Sequence, residues 1–320
     1  MPPRPVVPPS SSLAGPVRLS DAAALGLSRS ELSSPRWRRG PRGVRVHHSI
    51  DPLDPRGRLR ATLAWLPPWA VLGGWAALRW QGVVLLDGRT GPAGKTLLPV
   101  LVHVGPRRHL RSRDGYEIDR TVLPDGDVRQ VRGALVTSPT RAVLDVMCRD
   151  GVEEGMVAGD AALATGVLTA AEMTAYVDTH ARARGVSSAR RATALLDGKI
   201  RSVPESRFRY VWVVVAGLPV PLVNRGVVDA DGHLVGLADL LDVEAGTAGE
   251  YDGSDHRSLT QHTAANVREE AFEALNLTVV RATALDLWPH RADLVRRLRE
   301  GRQRGQDRDR SRDLFGVRSW

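Results

Sequence analysis

The pattern of apolar and polar positions is most regular over residues 201–300. Two apolar runs, 221–228 and 233–241, flank Asp231-Gly232, a pair typical of the turn in a β-hairpin. Five apolar residues between positions 258 and 275 are spaced for one buried face of a helix: Leu259, Val267, Ala271, Phe272 and Leu275. A helix from Ser202, a third strand at Glu250, a strand over 277–283 and a helix over 288–300 give the predicted order αβββαβ.

A short helical pattern opens the N-terminal half. Residues 19–25 predict a helix capped by Ser20, and Ser28 with Glu31 has the spacing of a capping box that begins a second helix, which Pro35 ends. Residues 37–47 then predict a β-wing. Together these elements predict a compact winged helix-turn-helix over residues 16–50.

The remaining segments predict a multidomain chain of the α/β and α+β classes. Strands are expected at 97–103 and 116–123, and helices over most of 139–197, with breaks near Gly166 and Gly185. The predicted organisation is a disordered Pro-rich tail (1–15), the winged region (16–50), a mixed α/β middle domain (51–150), a helical linker (151–200), the αβββαβ domain (201–300) and a disordered basic tail (301–320). The last assignment follows from Arg and Asp residues that nearly alternate without a helical or strand period.

Composition restricts the location and redox chemistry that we expect. The chain has 320 residues, of which 42% are hydrophobic and 25% charged, as in an ordinary globular protein. The single cysteine, Cys148, excludes an intrachain disulfide framework. No apolar run approaches the ~18 residues of a membrane span, and the first residues lack the apolar core of a signal peptide. We therefore expect a cytoplasmic protein without a membrane partner.

Positive charge is concentrated at the two ends of the chain. Residues 1–60 hold eleven arginines against four acids, and residues 301–320 hold six against three, while the whole chain carries +9. Six of these arginines fall within seventeen residues of the winged region and are candidates for phosphate contact: Arg29, Arg36, Arg38, Arg39, Arg42 and Arg45. The alternative is a structural helical module with a solvated basic face.

The acidic residues of the αβββαβ domain predict metal chemistry. Asp239 lies on one strand, and Glu250 and Asp252 lie two residues apart on the next, so these two share a face. If the three carboxylates converge, with His256 just beyond the strand, their repulsion requires a hard cation such as Mg²⁺ or Mn²⁺. Such an ion supports phosphodiester hydrolysis. The alternative is a set of structural or vestigial carboxylates.

These residues resemble the very-short-patch-repair-like branch of the PD-(D/E)XK nucleases. The resemblance covers about a third of the chain and is carried by Asp239, the run Glu250-Tyr251-Asp252-Gly253, His256, the helix-start Glu205 and the strand residues Val279-Val280-Arg281. It implies that Asp239, Glu250 and the Tyr251 carbonyl bind the metal, that Glu205 supports the site, and that Asp252 with His256 positions the attacking water. The chain departs from the pattern where Asp252 replaces the usual Lys, where Ala265 replaces a frequent acid, and in its Gly-rich third strand.

The N-terminal region is similar to the winged helix of AbiEi-type antitoxins. The similarity extends to the segments 73–77 (GGWAA) and 137–141 (TSPTR). The two resemblances together imply a DNA-associated, metal-dependent endonuclease-like protein. One alternative is a DNA-binding regulator or antitoxin-like protein with an inactive nuclease-like domain, for which a toxin or another protein is a possible partner. A third is a scaffold for protein interactions.

Overall fold

The contacts within the chain define two compact units. The structure, a computed structural model, describes residues 15–253 and 259–318, with side chains at 93 and 259–266 outside that description. The N-terminal unit comprises residues 1–88 and 99–138, and the C-terminal unit comprises residues 89–98 and 139–320. Apart from Gly15, the predicted tail over 1–15 lies outside the described residues, as does His256.

Residues 15–138, the described part of the first 138, contain short strands and three α-helices. In chain order these are β1 Val17–Arg18, α1 Arg29–Ser33, β2 Trp37–Arg39, β3 Val44–His47, α2 Pro55–Trp65, β4 Val71–Leu72, α3 Gly74–Trp80, β5 Arg89–Thr90, β6 Thr96–Leu97, β7 Val100–His103, β8 Tyr116–Asp119, β9 Val128–Val131 and β10 Ala134–Thr137. The N-terminal unit has a sheet of order β1-β3-β2 and a second of order β8-β7-β4-β10-β9. The β5–β6 pair belongs to the C-terminal unit.

Some of the secondary-structure elements predicted for residues 16–50 are present and one is not. A β2–β3 hairpin lies at the residues for which the wing is predicted, and Ser28 with Glu31 forms the expected capping box at α1. The predicted helix over 19–25 is wrong, because residues 19–26 are hydrogen-bonded turns. Ser20 donates its hydroxyl to Asp21 Oδ1 at 2.7 Å instead of accepting a backbone N–H. A seven-residue helix without that cap has too few internal hydrogen bonds to offset its nucleation.

The C-terminal unit supplies the order expected for residues 201–300. Its further elements are α4 Pro139–Arg149, α5 Gly151–Ala164, α6 Ala170–Thr179, α7 Val186–Thr193, α8 Val203–Tyr210, β11 Leu222–Val228, β12 Leu234–Asp242, β13 Thr247–Asp252, α9 Leu259–Ala274, β14 Thr278–Thr283, α10 Ala284–Leu287, α11 Arg291–Gln306 and β15 Gly316–Arg318. Five strands form one sheet of order β14-β13-β12-β11-β15, in which β13 and β14 are parallel. The elements α8 to β14 follow the predicted αβββαβ order.

The Gly-rich third strand, β13, forms and is buried in the sheet. Residues 247–250 of β13 are all buried. A Cβ at position 249 would lie 2.9 Å from the Phe208 ring and 3.2 Å from the Trp212 ring. Glycine at this position therefore lets two large aromatic side chains pack directly on the strand backbone.

Residues 151–200 do not form a separate linker. Asp160 on α5 is completely buried and accepts hydrogen bonds from Arg209 at 2.8 Å and from Ser206 at 2.6 Å, both on α8. Arg207 reaches Glu153 and Glu154 at 3.2 and 2.6 Å. Because a buried charge is costly unless it is paired, these contacts hold α5 and α8 together within one unit. The predicted domain boundaries at 150 and 200 are replaced by the single unit that includes residues 139–320.

The predicted disorder of residues 301–320 is wrong for the part that the structure describes. The α11 helix continues to Gln306, and β15 pairs with β11 along the edge of the sheet. The charges that suggested disorder bind within the unit: Arg302 contacts Asp242 at 2.9 Å, and Arg308 contacts Asp313 at 2.8 Å. The alternation of Arg and Asp in the sequence does not reveal these ion pairs, because the fold determines which arginine meets which aspartate.

Candidate metal site

The first helix of the αβββαβ segment places Glu205 beside the strands. Ser202 caps α8 and Pro204 occupies its first turn, as the sequence predicts. Glu205 is 7% exposed, and its carboxylate accepts hydrogen bonds from the Ser202 hydroxyl, the Arg201 backbone N–H and the Asn224 side-chain amide, all between 2.8 and 2.9 Å. With three donors it is a well-satisfied support for the site.

The β12 strand is irregular where it carries Asp239. Ala238 and Leu241 are three positions apart, and in a regular strand their side chains would point to opposite faces of the sheet. Both nevertheless belong to the same apolar cluster. On β11, the residue that faces Asp239 is Asn224, between the pairs Val223–Leu240 and Arg225–Ala238. Asn224 has a left-handed backbone with φ of +48°. Local distortions of this kind redirect side chains at the rims of functional sites.

Asp239 lies where β12 and β13 separate. The strand pairing runs from Asp242–Thr247 to Leu240–Gly249. One residue further, the Asp239 carboxylate accepts the backbone N–H of Tyr251 at 2.8 Å. Its other oxygen lies 3.6 Å from the guanidinium of Arg201, a side chain that is 55% exposed. Asp239 therefore takes over a strand-pairing role and still presents a carboxylate at the open end of the strand pair.

Glu250 is held by an arginine from α9. Arg268 approaches Glu250 Oε2 at 3.0 Å, and the Glu250 side chain is 9% exposed. A Cβ at position 236 would lie 2.9 Å from the Arg268 side-chain stem, so Gly236 leaves the space in which that stem lies. Among the described residues, none donates a hydrogen bond to the buried Glu250 Oε1.

The two carboxylates hold protons unusually strongly. Burial, and after it the negative charge of Glu205, raises the pKa of Asp239 to about 6. Burial, and after it the charge of Asp239, raises the pKa of Glu250 to about 7. Arg268 opposes both shifts without cancelling them. The pair is therefore a buried acidic site that is partly protonated near neutral pH.

These residues fit a divalent cation. A buried carboxylate oxygen without a donor, beside a second buried carboxylate, is the hard oxygen set that Mg²⁺ and Mn²⁺ prefer. Asp239 and Glu250 would hold such an ion, and the ion would supply the positive charge that the pair lacks. Arg201 and Arg268 supply part of that charge in its absence.

The predicted three-carboxylate cluster is reduced to a pair. Within the side chains that the structure describes, the one group of three potential ligands with atoms within 4.8 Å of one another is Asp229, Asp231 and His233. Asp252, half-buried near the end of β13, does not complete a triplet with Asp239 and Glu250. The Asp229 group lies on the hairpin turn, where Asp229 accepts the N–H groups of Asp231 and His233, so this group stabilises a turn.

Two contributors were not identified as site residues from the sequence. Arg268 comes from α9 and pairs with Glu250 on β13, whereas Arg281 on β14 pairs with Glu269 at 3.1 Å. Asn224 belongs to none of the sequence motifs of this segment. Its one signal is that asparagine is unfavourable in an apolar strand.

The six candidate phosphate-binding arginines divide into two groups. Arg29, Arg36, Arg39 and Arg42 are exposed. Arg38 donates to the Ile50 carbonyl, and Arg45 donates to the Leu32 carbonyl at 3.2 Å. The second group therefore stabilises the hairpin region, and the first group is available to a polyanion.

Comparison with protein-family models, curated proteins and solved structures finds no match to this chain. The two resemblances noted in the sequence therefore remain proposals. Among the described residues, no helix combines the length and the hydropathy of a membrane span.

Proposed function

We propose that this protein is a DNA-associated hydrolase that cleaves phosphodiester bonds with Mg²⁺ or Mn²⁺ bound at Asp239 and Glu250. One observation carries the proposal: two adjacent buried carboxylates share a site in which Glu250 Oε1 has no donor from the described residues. A structural pair would be costly without compensation, because two buried like charges repel and each loses hydration.

The residues of the site have separate roles in this proposal. Asp239 and Glu250 hold the cation, with the Tyr251 carbonyl as a further ligand. A bound divalent ion polarises a phosphoryl oxygen and lowers the pKa of a water. Arg268, 37% exposed, presents a positive charge beside Glu250, where the usual Lys is replaced by Asp252. Asp252 and His256 orient the water, and Glu205 fixes the end of α8.

DNA binding is proposed for the exposed arginines of the N-terminal unit. Arg29, Arg36, Arg39 and Arg42 are exposed on α1, the hairpin and their connections. Clustered guanidinium groups bind phosphates without reading sequence. This activity also supports the second candidate function, a DNA-binding regulator or antitoxin-like protein whose C-terminal unit does not cleave. Arg201 and Arg268, which already neutralise part of the pair, favour that alternative.

The experiment is cleavage of plasmid DNA and of a mismatched duplex by the full chain with Mg²⁺ or Mn²⁺. Glu250→Gln keeps the side-chain volume and removes the charge, so it should abolish cleavage. Glu269→Gln is the matched control, because Glu269 is also an acid paired with an arginine but lies outside the pair. DNA binding without cleavage by the wild-type protein would favour the regulator, and equal cleavage by wild type and Glu250→Gln would refute the site.

A further inference from the structure

Asn224 faces Asp239 across the β11–β12 strand pair. It lies between the paired residues Val223–Leu240 and Arg225–Ala238, in register with Asp239. Its φ of +48° is in the left-handed region, which asparagine tolerates better than most residues. The distortion of the two strands therefore centres on these two side chains.

The orientation of the Asn224 amide is fixed by its neighbours. Nδ2 donates to the Lys199 carbonyl and to Glu205 Oε2, each at 2.8 Å. Both partners are acceptors only, so the amide nitrogen must face them and the amide oxygen must point the other way. Asn224 Oδ1 is buried, and none of the described residues donates to it. A buried acceptor without a donor costs about 1–3 kcal/mol unless something else satisfies it.

Two buried acceptors of this kind belong to the residues on either side of Asp239, Asn224 on β11 and Glu250 on β13. Glu250 Oε1 and Asn224 Oδ1 both lack a donor in the described part of the chain. Glu250 is coupled to Asp239 by charge, and Asn224 is joined to the same group through Glu205. We infer that Asn224 Oδ1 is a ligand of the divalent cation held by Asp239 and Glu250, and this inference rests on the proposed function. An amide oxygen is a hard ligand that adds coordination without adding a third negative charge to a buried pair.

The test uses Asn224→Gly and Asn276→Gly as a matched pair. Asn276 also has a left-handed backbone, with φ of +72°, and its Nδ2 also donates to two acceptors, Asp309 O and Asp313 Oδ1. Glycine accepts the left-handed conformation, so both variants keep the backbone that they need. Titration calorimetry of the full chain with Mn²⁺ measures the affinity, and thermal unfolding without metal confirms that each variant is folded.

We expect Asn224→Gly to weaken Mn²⁺ binding by about tenfold or more, as loss of a metal ligand or its immediate support does. Asn276→Gly should bind Mn²⁺ as the wild-type chain does. Asn224→Asp separates a ligand from a positioning residue, because it keeps the oxygen and loses the donor to Glu205. A ligand role predicts wild-type or tighter binding by Asn224→Asp, whereas loss of binding in both Asn224 variants would overturn it.

The inference and the proposed function fail differently. A wild-type chain that binds Mn²⁺ no better than Glu250→Gln overturns the metal site itself. Binding that depends on Glu250 and is unchanged in Asn224→Gly overturns the role of Asn224 alone.

Discussion

The carboxylate of Asp239 accepts the backbone N–H of Tyr251 at 2.8 Å, one residue beyond the last pair between β12 and β13. A side chain thus replaces a carbonyl as acceptor where the two strands separate. The bond ties Asp239 to the residue after Glu250, so the two acids cannot move apart without breaking it. Asp239 therefore positions the pair as well as belonging to it.

Divalent cations should stabilise the folded protein through this pair. A ligand that binds the folded state alone adds about 2.7 kcal/mol at a hundredfold excess over Kd. Mg²⁺ or Mn²⁺ should raise the melting temperature of the wild-type chain, and Glu250→Gln should lose most of that rise. Asp231→Asn is the control, since it alters the exposed group on the hairpin turn. A rise that disappears in Asp231→Asn and persists in Glu250→Gln would assign the binding to the turn.

Stability without metal should fall as the pair ionises. The folded-state pKa values of about 6 for Asp239 and about 7 for Glu250 exceed the ordinary 3.8 and 4.5. An acid with a raised folded pKa contributes stability that is complete below its unfolded pKa and is lost as pH rises through the folded value. The melting temperature of the wild-type chain, relative to Asp239→Asn/Glu250→Gln, should therefore decline from about pH 4 to about pH 7 and be level above that. A constant difference across that range would contradict the raised pKa values.

The buried Asp160–Arg209 pair should matter far more than an exposed one. Arg209→Met leaves the fully buried Asp160 carboxylate without its guanidinium partner, which costs about 3–5 kcal/mol in such sites. Arg296→Met removes the contact to Glu300 at 3.1 Å, where the Arg296 side chain is 60% exposed, and should cost less than about 0.5 kcal/mol. Urea unfolding of both variants provides the comparison. Equal losses would show that α5 and α8 are not held by this pair.

Exposed and structural arginines of the winged region should respond differently to mutation. Arg39→Glu with Arg42→Glu should weaken DNA binding and flatten its salt dependence, since each lost phosphate contact changes the log–log slope by about 0.9. Arg38→Ala should mainly lower stability, because Arg38 donates to the Ile50 carbonyl. Binding measured against salt concentration, together with melting temperatures, separates the effects. An unchanged slope in the double variant would place the DNA contact elsewhere in the chain.

The segment after α11 should contribute to stability through Phe315. Phe315 packs against the cluster that contains Val227 and Phe272, whereas the adjacent Leu314 is 52% exposed. Phe315→Ala should therefore cost about 1–3 kcal/mol, and Leu314→Ala less than about 0.5 kcal/mol. Chemical denaturation of the two variants checks this. The opposite ranking would indicate that the segment does not dock as the structure has it.

Local signals predicted much of the fold correctly. Asp231-Gly232 gave the hairpin, and Ser202 and Ser28 gave the two helix starts, because turn and cap preferences act within four residues. The β15 strand could not be predicted in this way. It is three residues long with one apolar side chain, and it forms because β11 offers a free edge. The prediction of a helix over 19–25 is wrong because helix propensity alone does not sustain so short a helix.

The alternation of side chains along the strands predicts only part of the candidate site. Spacing placed Glu250 and Asp252 on one face and brought Asp239 to the neighbouring strand, but the irregularity of β12 decides which acids meet. Arg268 comes from a helix that follows β13, and the left-handed Asn224 comes from β11. Neither contact has a local sequence signature, because each depends on how separate elements pack.

The chain enters the C-terminal unit twice. Residues 89–98 belong to that unit, yet residues 99–138 return to the N-terminal one. Within the excursion, Thr90 accepts a hydrogen bond from Arg207 at 3.3 Å and donates one to Glu154 at 3.4 Å. No single cleavage of the polypeptide can therefore release the C-terminal unit intact. A gene divided at one breakpoint between residues 98 and 139 would likewise separate the β5–β6 pair from α5 and α8, which contact it through Thr90.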